Sequence, residues 1–92
     1  MEFEWDVQKA EANFKKQGVM FSEARPVLED DDHAITVCDD EPDPSEERFV
    51  TIGMGVRPRL LVVVYCFRES NIRIISARTA NAYEQHQYEE FR

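Results

Sequence analysis

The sequence predicts an α+β domain: a mostly antiparallel sheet of about four strands, with two helices before it and one after. Three observations carry this. Residues 34–38, 48–54, 60–67 and 72–77 are apolar or β-branched runs bounded by turn formers. Apolar residues in the first thirty positions and the last fifteen or so recur at helical spacing instead. With 92 residues in all, the chain has material for one modest core, so residues 1–92 are read as a single domain.

Each element has its own local reason. Phe3, Glu4 and Trp5 alternate as a short edge strand, and Asp6 then offers a carboxylate to the free amides of a helix beginning at Val7. Val7, Ala10 and Phe14 share one face of that helix, and Gly18 supplies a left-handed stop. A second helical face, Phe21, Ala24, Val27 and Leu28, must be short, because Pro26 is tolerated only within the first turn. Gly53 and Gly55 mark the turn after the strand at 48–54, and residues 60–67 are apolar on both faces, as a central strand would be. Glu69, Ser70 and Asn71 form a tight turn that returns residues 72–77 as the antiparallel partner. The last helix is expected over residues 79–91, with Ala80, Tyr83, Gln87 and Phe91 on its packed side and Tyr88 more open. All helices are expected on one face of the sheet.

Charge is unevenly placed. The formal net charge is −8, yet residues 29–47 hold ten acids and no Lys or Arg, while residues 48–83 hold six Arg and only Glu69, leaving +5. An acidic loop, with Pro42 and Pro44 in it, therefore stands beside a basic sheet that can take an anionic ligand. Cys38 and Cys66 have neither metal-ligand spacing nor the setting of a disulfide framework, and no secretory segment precedes them, so the cytoplasm is the expected compartment. The longest apolar run, eight residues, is far short of the roughly 20 that cross a bilayer. No P-loop, dinucleotide fingerprint, nucleophile elbow or zinc spacing occurs, and no cofactor is implied.

The candidate chemistry lies in scattered cations and aromatics. Arg57, Arg59, Arg73 and Arg78 fall at or near the ends of the two longest strands, where guanidiniums can make bidentate bonds to phosphate and stabilise charge developing on it. Arg73 interrupts Ile72, Ile74 and Ile75, and strict alternation groups it with Ile75 and Ala77. Strand-end arginines also have a plain structural use, since they keep an edge solvated. His86 and Glu90 share a helix face but are too few for a metal site, and His33 beside Asp30, Asp31 and Asp32 lacks the order of a calcium loop. Tyr65, Tyr83 and Tyr88 could stack bases or simply pack.

Three blocks of residues add a resemblance. Phe3 to Asp6 with Lys9, Asn13, Lys16, Gly18, Val19 and residues 21–24 form the first; Glu47, Arg48, Phe49, Ile52 and Gly53 the second; residues 61–65 and 72–78 with Glu84, Tyr88 and Glu89 the third. In this order and spacing the chain resembles the BrnT family, the toxins of BrnT/BrnA type II toxin-antitoxin modules. The resemblance implies a RelE-like small fold, a metal-independent endoribonuclease that inhibits translation, and neutralisation by a BrnA-like, ribbon-helix-helix antitoxin in a hetero-oligomer. It also maps functional positions onto Arg78, Glu84 and Tyr88, with Arg73 and Lys16 beside them. Joined with the strand-end cations, this makes Arg73, Arg78, Glu84 and Tyr88 the expected catalytic residues and Lys16, Arg57 and Arg59 the expected RNA-binding ones, with no metal.

The chain departs from the family pattern at Gln17, Thr79 and Gln85, where basic residues or a proton-transfer group are common. These departures support a second expectation, a catalytically weakened homologue acting mainly as an antitoxin-binding and operon-autoregulating partner. A third is an interaction domain whose acidic loop recruits a basic partner.

Overall fold

Asp6 starts the first helix as expected: its carboxylate accepts from the amides of Gln8 and Lys9 at 2.8 and 3.1 Å. That helix, α1 (Val7–Gln17), stops at Gly18, whose φ of 69° is readily available only to glycine and whose amide closes on the Phe14 carbonyl. The structure is a computed structural model and describes residues 2–38, 47–56 and 59–90. The acidic loop from 39 to 46 and Arg57 lie outside the described residues.

The single helix expected over residues 21–28 is two pieces, a 3-10 turn (Phe21–Glu23) and then α2 (Ala24–Glu29). Pro26 has no amide to bond the Ser22 carbonyl, so α-helical bonding begins only after the turn, and Pro26 sits in the first turn of α2. Three strands stand close to their predicted positions, β2 (Ile35–Cys38), β3 (Arg48–Met54) and β4 (Leu60–Arg68). The closing strand β5 (Asn71–Thr79) is longer than expected, and α3 (Ala82–Glu90) starts three residues later than expected.

The sheet has five strands rather than about four, because the short edge strand expected at Phe3–Trp5, β1 (Phe3–Glu4), joins it, and the order is β1-β5-β4-β3-β2. This two-residue strand pairs parallel with β5, Phe3 opposite Ile72 and Glu4 opposite Arg73. All other pairings are antiparallel.

The helices divide between the two faces, which corrects the one-face expectation. One face carries the larger core, where Val19, Phe21, Ala24 and Val27 meet Leu61, Val63, Tyr65, Ile72, Ile74 and Ala77. Gly53 is on this face, and a Cβ there would stand only 3.0 Å from Val27, so glycine is what admits α2 so close to β3. The opposite face has a smaller core, Ile52, Val62, Ala80 and Tyr88, under α3. Tyr88 is buried there at 4% exposure while Tyr83 is 71% exposed, the reverse of the expected roles. The expected stripe is anchored on Ala80, but Ala80 lies before α3 and is buried from the preceding segment, so it does not set which side of the helix packs, and Tyr88 is the residue that turns inward.

Helix α1 docks through Ala10, Asn13 and Gln17, which are half-buried, rather than through Val7 and Phe14, which are exposed. Asn13 explains the polar stripe. Its amide donates to the carbonyls of Ala77 and Val19 at 2.8 and 3.0 Å, and its oxygen accepts from the Ala77 amide at 3.2 Å. It thus takes the place of a neighbouring strand where β1 is too short to reach. Replacing Asn13 with Ala leaves that partly buried pair of backbone groups unsatisfied and is expected to cost roughly 1–3 kcal/mol, read as a lower urea midpoint at unchanged slope.

Candidate nucleic-acid interface

Arg73 and Arg78 are five positions apart, and strict alternation would send them to opposite faces of the sheet. They share one face because β5 carries a bulge. Val64 pairs with Ser76 and Tyr65 with Ile74, leaving Ile75 as an extra residue in β5. Arg73 then stands opposite Cys66 and Arg78 opposite Val62, both on the face that bears α3. Ala77, which strict alternation grouped with Arg73, turns instead into the larger core.

Each guanidinium is held by a carboxylate. Arg73 Nη1 donates to Glu4 Oε2 at 2.9 Å, and Glu4 Oε1 accepts from the Asn71 amide at 3.2 Å. The register of β1 on β5 puts Glu4 directly beside Arg73. Arg78 is gripped more firmly, with Nη1 and Nη2 each donating at 2.8 Å to one oxygen of Glu84.

Glu84 is fixed from a second side by helix geometry. Its amide donates to Asn81 Oδ1 and its Oε1 accepts from the Asn81 amide, both at 2.9 Å, a reciprocal capping box at the start of α3. The Arg78 hydrogen bonds chiefly, with the Asn81 amide behind them, hold the Glu84 carboxyl below its ordinary value against the opposing effect of burial. The same contact raises the Arg78 guanidinium. Of the five N–H groups of Arg78, those on Nη1 go to Glu84 and, at 3.3 Å, to the Thr79 carbonyl. The Nε group and the second Nη2 proton have no partner among the described residues, and they form the side-on fork that matches two phosphate oxygens.

The remaining sequence candidates are distributed elsewhere. Tyr88, one helical turn beyond Glu84, donates its hydroxyl to Asp31 Oδ2 at 2.7 Å. Asp31 also accepts from the Met54 and His33 amides, so it ties α3 to the end of β3. Burial alone would raise the Asp31 carboxyl, but the Met54 amide, the Tyr88 hydroxyl and the His33 amide together hold it lower. Arg59 donates to the buried Glu23 at 2.8 Å and to the Gly18 carbonyl at 3.3 Å, stapling the end of α1 to the sheet. Lys16 is exposed in the last turn of α1, whose sheet contacts lie on the other face from Arg73 and Arg78. Tyr65 is buried, its hydroxyl linked through Thr51 to Thr36 at 2.9 and 2.8 Å.

Sequence reasoning passed over Arg48. The register of β3 on β4 places it opposite Cys66, whose other neighbour is Arg73, and that juxtaposition depends on pairings between distant segments. Among the described residues no group of three His, Cys, Asp or Glu is arranged to hold a metal ion.

A pH dependence follows from Glu84 and Asp31. Both fold with carboxyls below their unfolded values, about 4.3 and 3.9. Their contribution to stability is fully present above those values and is lost as pH falls through the lower folded ones. Thermal midpoints should therefore drop on acidification below about pH 4.5, and Glu84→Gln should show a shallower drop than the unaltered chain.

A sequence model of the ribonuclease toxin BrnT of type II toxin-antitoxin systems matches residues 5–84. The crystal structure of the Brucella abortus ribonuclease toxin BrnT aligns with a TM-score of 0.69, covering 88% of this chain and 97% of that one at 23% identity. Comparison with curated proteins gives no match. The structural likeness establishes a shared α+β fold with a five-stranded mixed sheet. Since the family model spans most of the chain, from Trp5 through Glu84, the chain belongs to the BrnT family of ribonuclease toxins of type II toxin-antitoxin systems.

Proposed function

We propose that this chain is an endoribonuclease that cuts RNA without a metal ion at a phosphate held between Arg73 and Arg78, and thereby inhibits translation. The observation that carries the proposal is the bulge at Ile75, which gathers the two carboxylate-held guanidiniums on one face. In such a reaction the 2′-hydroxyl attacks the adjacent phosphate and gives its proton to water. The 5′-oxygen of the next nucleotide leaves as a hydroxyl after taking a proton from water, and a 2′,3′-cyclic phosphate remains. Negative charge grows on the non-bridging oxygens during attack, and donors fixed in advance stabilise it without reorganising. Arg73 and Arg78 supply those donors.

We take Glu84, one of the four expected catalytic residues, to have a positioning part. Both of its oxygens are engaged and its carboxyl is held low, so it is a weak proton donor and serves to aim Arg78. Tyr88 supports α3 from below through Asp31. The partner implied by the family is an antitoxin, which we take to be a BrnA-like ribbon-helix-helix protein that covers this face in the cytoplasm.

The weakened-homologue reading has one observation in its favour. Gln85 donates to the Ala80 carbonyl at 3.0 Å and caps the chain locally instead of presenting a cation beside Arg78. A growth assay separates the two readings, since a chain that only binds its antitoxin does not arrest growth when induced alone. On the endoribonuclease reading, Arg73→Ala and Arg78→Ala each lower single-turnover RNA cleavage by about 10²–10³, with melting curves showing that both variants fold. Intact RNA with the purified protein, together with growth arrest undiminished by Arg78→Ala, contradicts the mechanism. Glu84→Gln is expected to reduce cleavage less than Arg78→Ala does, because the amide keeps one acceptor for the guanidinium.

A further inference from the structure

Arg48 opens β3 on the same face as Arg73 and Arg78. One cross-strand row runs Arg48, Cys66, Arg73, Glu4 over β3, β4, β5 and β1. The arginines in this row differ. Arg73 has Glu4 as an ion-pair partner at 2.9 Å, whereas Arg48 has none among the described residues, and its Nε is buried with no hydrogen-bond partner.

A guanidinium cannot give up its charge to relieve that situation. Nor does the row supply an anion for it. Cys66 is fully buried, and Glu4 is already taken by Arg73 and Asn71. Glu47, the preceding residue, is exposed and has an oxygen 4.0 Å from the Cys38 sulfur. Val64 and Val50, the next row on this face, are half-buried and uncharged.

We propose that Arg48 forms a second phosphate subsite, which takes a backbone phosphodiester of the RNA strand at a distance from the one held by Arg73 and Arg78. This rests on the endoribonuclease reading and extends it. Arg48 and Arg73 stand two strand spacings apart, about 10 Å, and Arg78 lies further along β5, so the three cations define a path that crosses the strands. A single-stranded RNA following that path meets Arg48 away from the scissile bond. Arg48 then contributes to holding the strand, irrespective of base sequence, and little to the cleavage step.

The test uses a 2′-O-methyl oligoribonucleotide, which cannot be cut by its own 2′-hydroxyl. Its dissociation constant is measured over a series of salt concentrations for the unaltered protein, Arg48→Gln, Arg48→Met and Arg48→Lys, with each fold checked by circular dichroism. Losing one phosphate contact from a single strand lowers the slope of log affinity against log salt by about 0.7. Arg48→Gln and Arg48→Met should show that loss, and Arg48→Lys should retain the slope. With cleavable RNA, Arg48→Gln should raise KM while leaving kcat within about two-fold. Slopes equal to that of the unaltered protein in whichever neutral variant folds overturn the subsite alone. Failure of the unaltered protein to bind the oligonucleotide at all overturns the endoribonuclease reading and the subsite with it.

Discussion

Between Arg73 and Arg78, β5 carries one residue more than β4 can pair, and the placing of the candidate site depends on that surplus. A strand shows its side chains to alternate faces, so an extra residue reverses the phase of everything beyond it. Ile72 and Ile74 enter the larger core before the bulge and Ala77 enters it after, while Arg73 and Arg78 both emerge opposite. The same shift sets Ala77 where Asn13 can bond both of its backbone groups. One irregularity thus serves the docking of α1 and the placing of the two cations on one face.

The arginines gathered in this way are restrained by elements remote from them in sequence. Glu4 reaches Arg73 from β1, the first strand, and Glu84 reaches Arg78 from α3, the last helix. Each partner is itself held, Glu4 by Asn71 and Glu84 by the capping box with Asn81. A carboxylate beside each guanidinium lowers the net positive charge of the face but fixes the direction of the remaining donors, which suits a site that must recognise phosphate geometry. The acidic character of the whole chain, −8, therefore does not argue against an anionic substrate at this face.

Much of the fold was legible in local sequence. The Asp6 cap, the Gly18 stop and the strand at 48–54 depend on neighbours within a few positions, and all three stand where the residues indicated. Pro26 correctly announced a short second helix, although the turn before it was of the 3-10 type. What could not be read were features decided by pairing between distant segments. The bulge at Ile75, the placement of Glu4 beside Arg73 and the alignment of Arg48 with Cys66 all belong to register. Arg73 and Arg78 were identified as candidates by residue type, but their common face was not. Arg59 was grouped with them on charge alone, and only the burial of Glu23 beneath it reveals its structural role. Tyr88 and Tyr83 exchange roles because Ala80, which anchors the expected stripe, lies outside α3 and does not share its helical phase.

The central claim is that the α3-bearing face of the sheet, organised by the bulge in β5, receives the RNA backbone. Its most direct test is a crystal structure of the protein with a 2′-O-methyl oligoribonucleotide. The account predicts one phosphate within hydrogen-bond reach of both Arg73 and Arg78, with Glu84 still bound to Arg78. RNA lying along Lys16 and Arg59 on the α1 side, with both β5 guanidiniums free of phosphate, would contradict it.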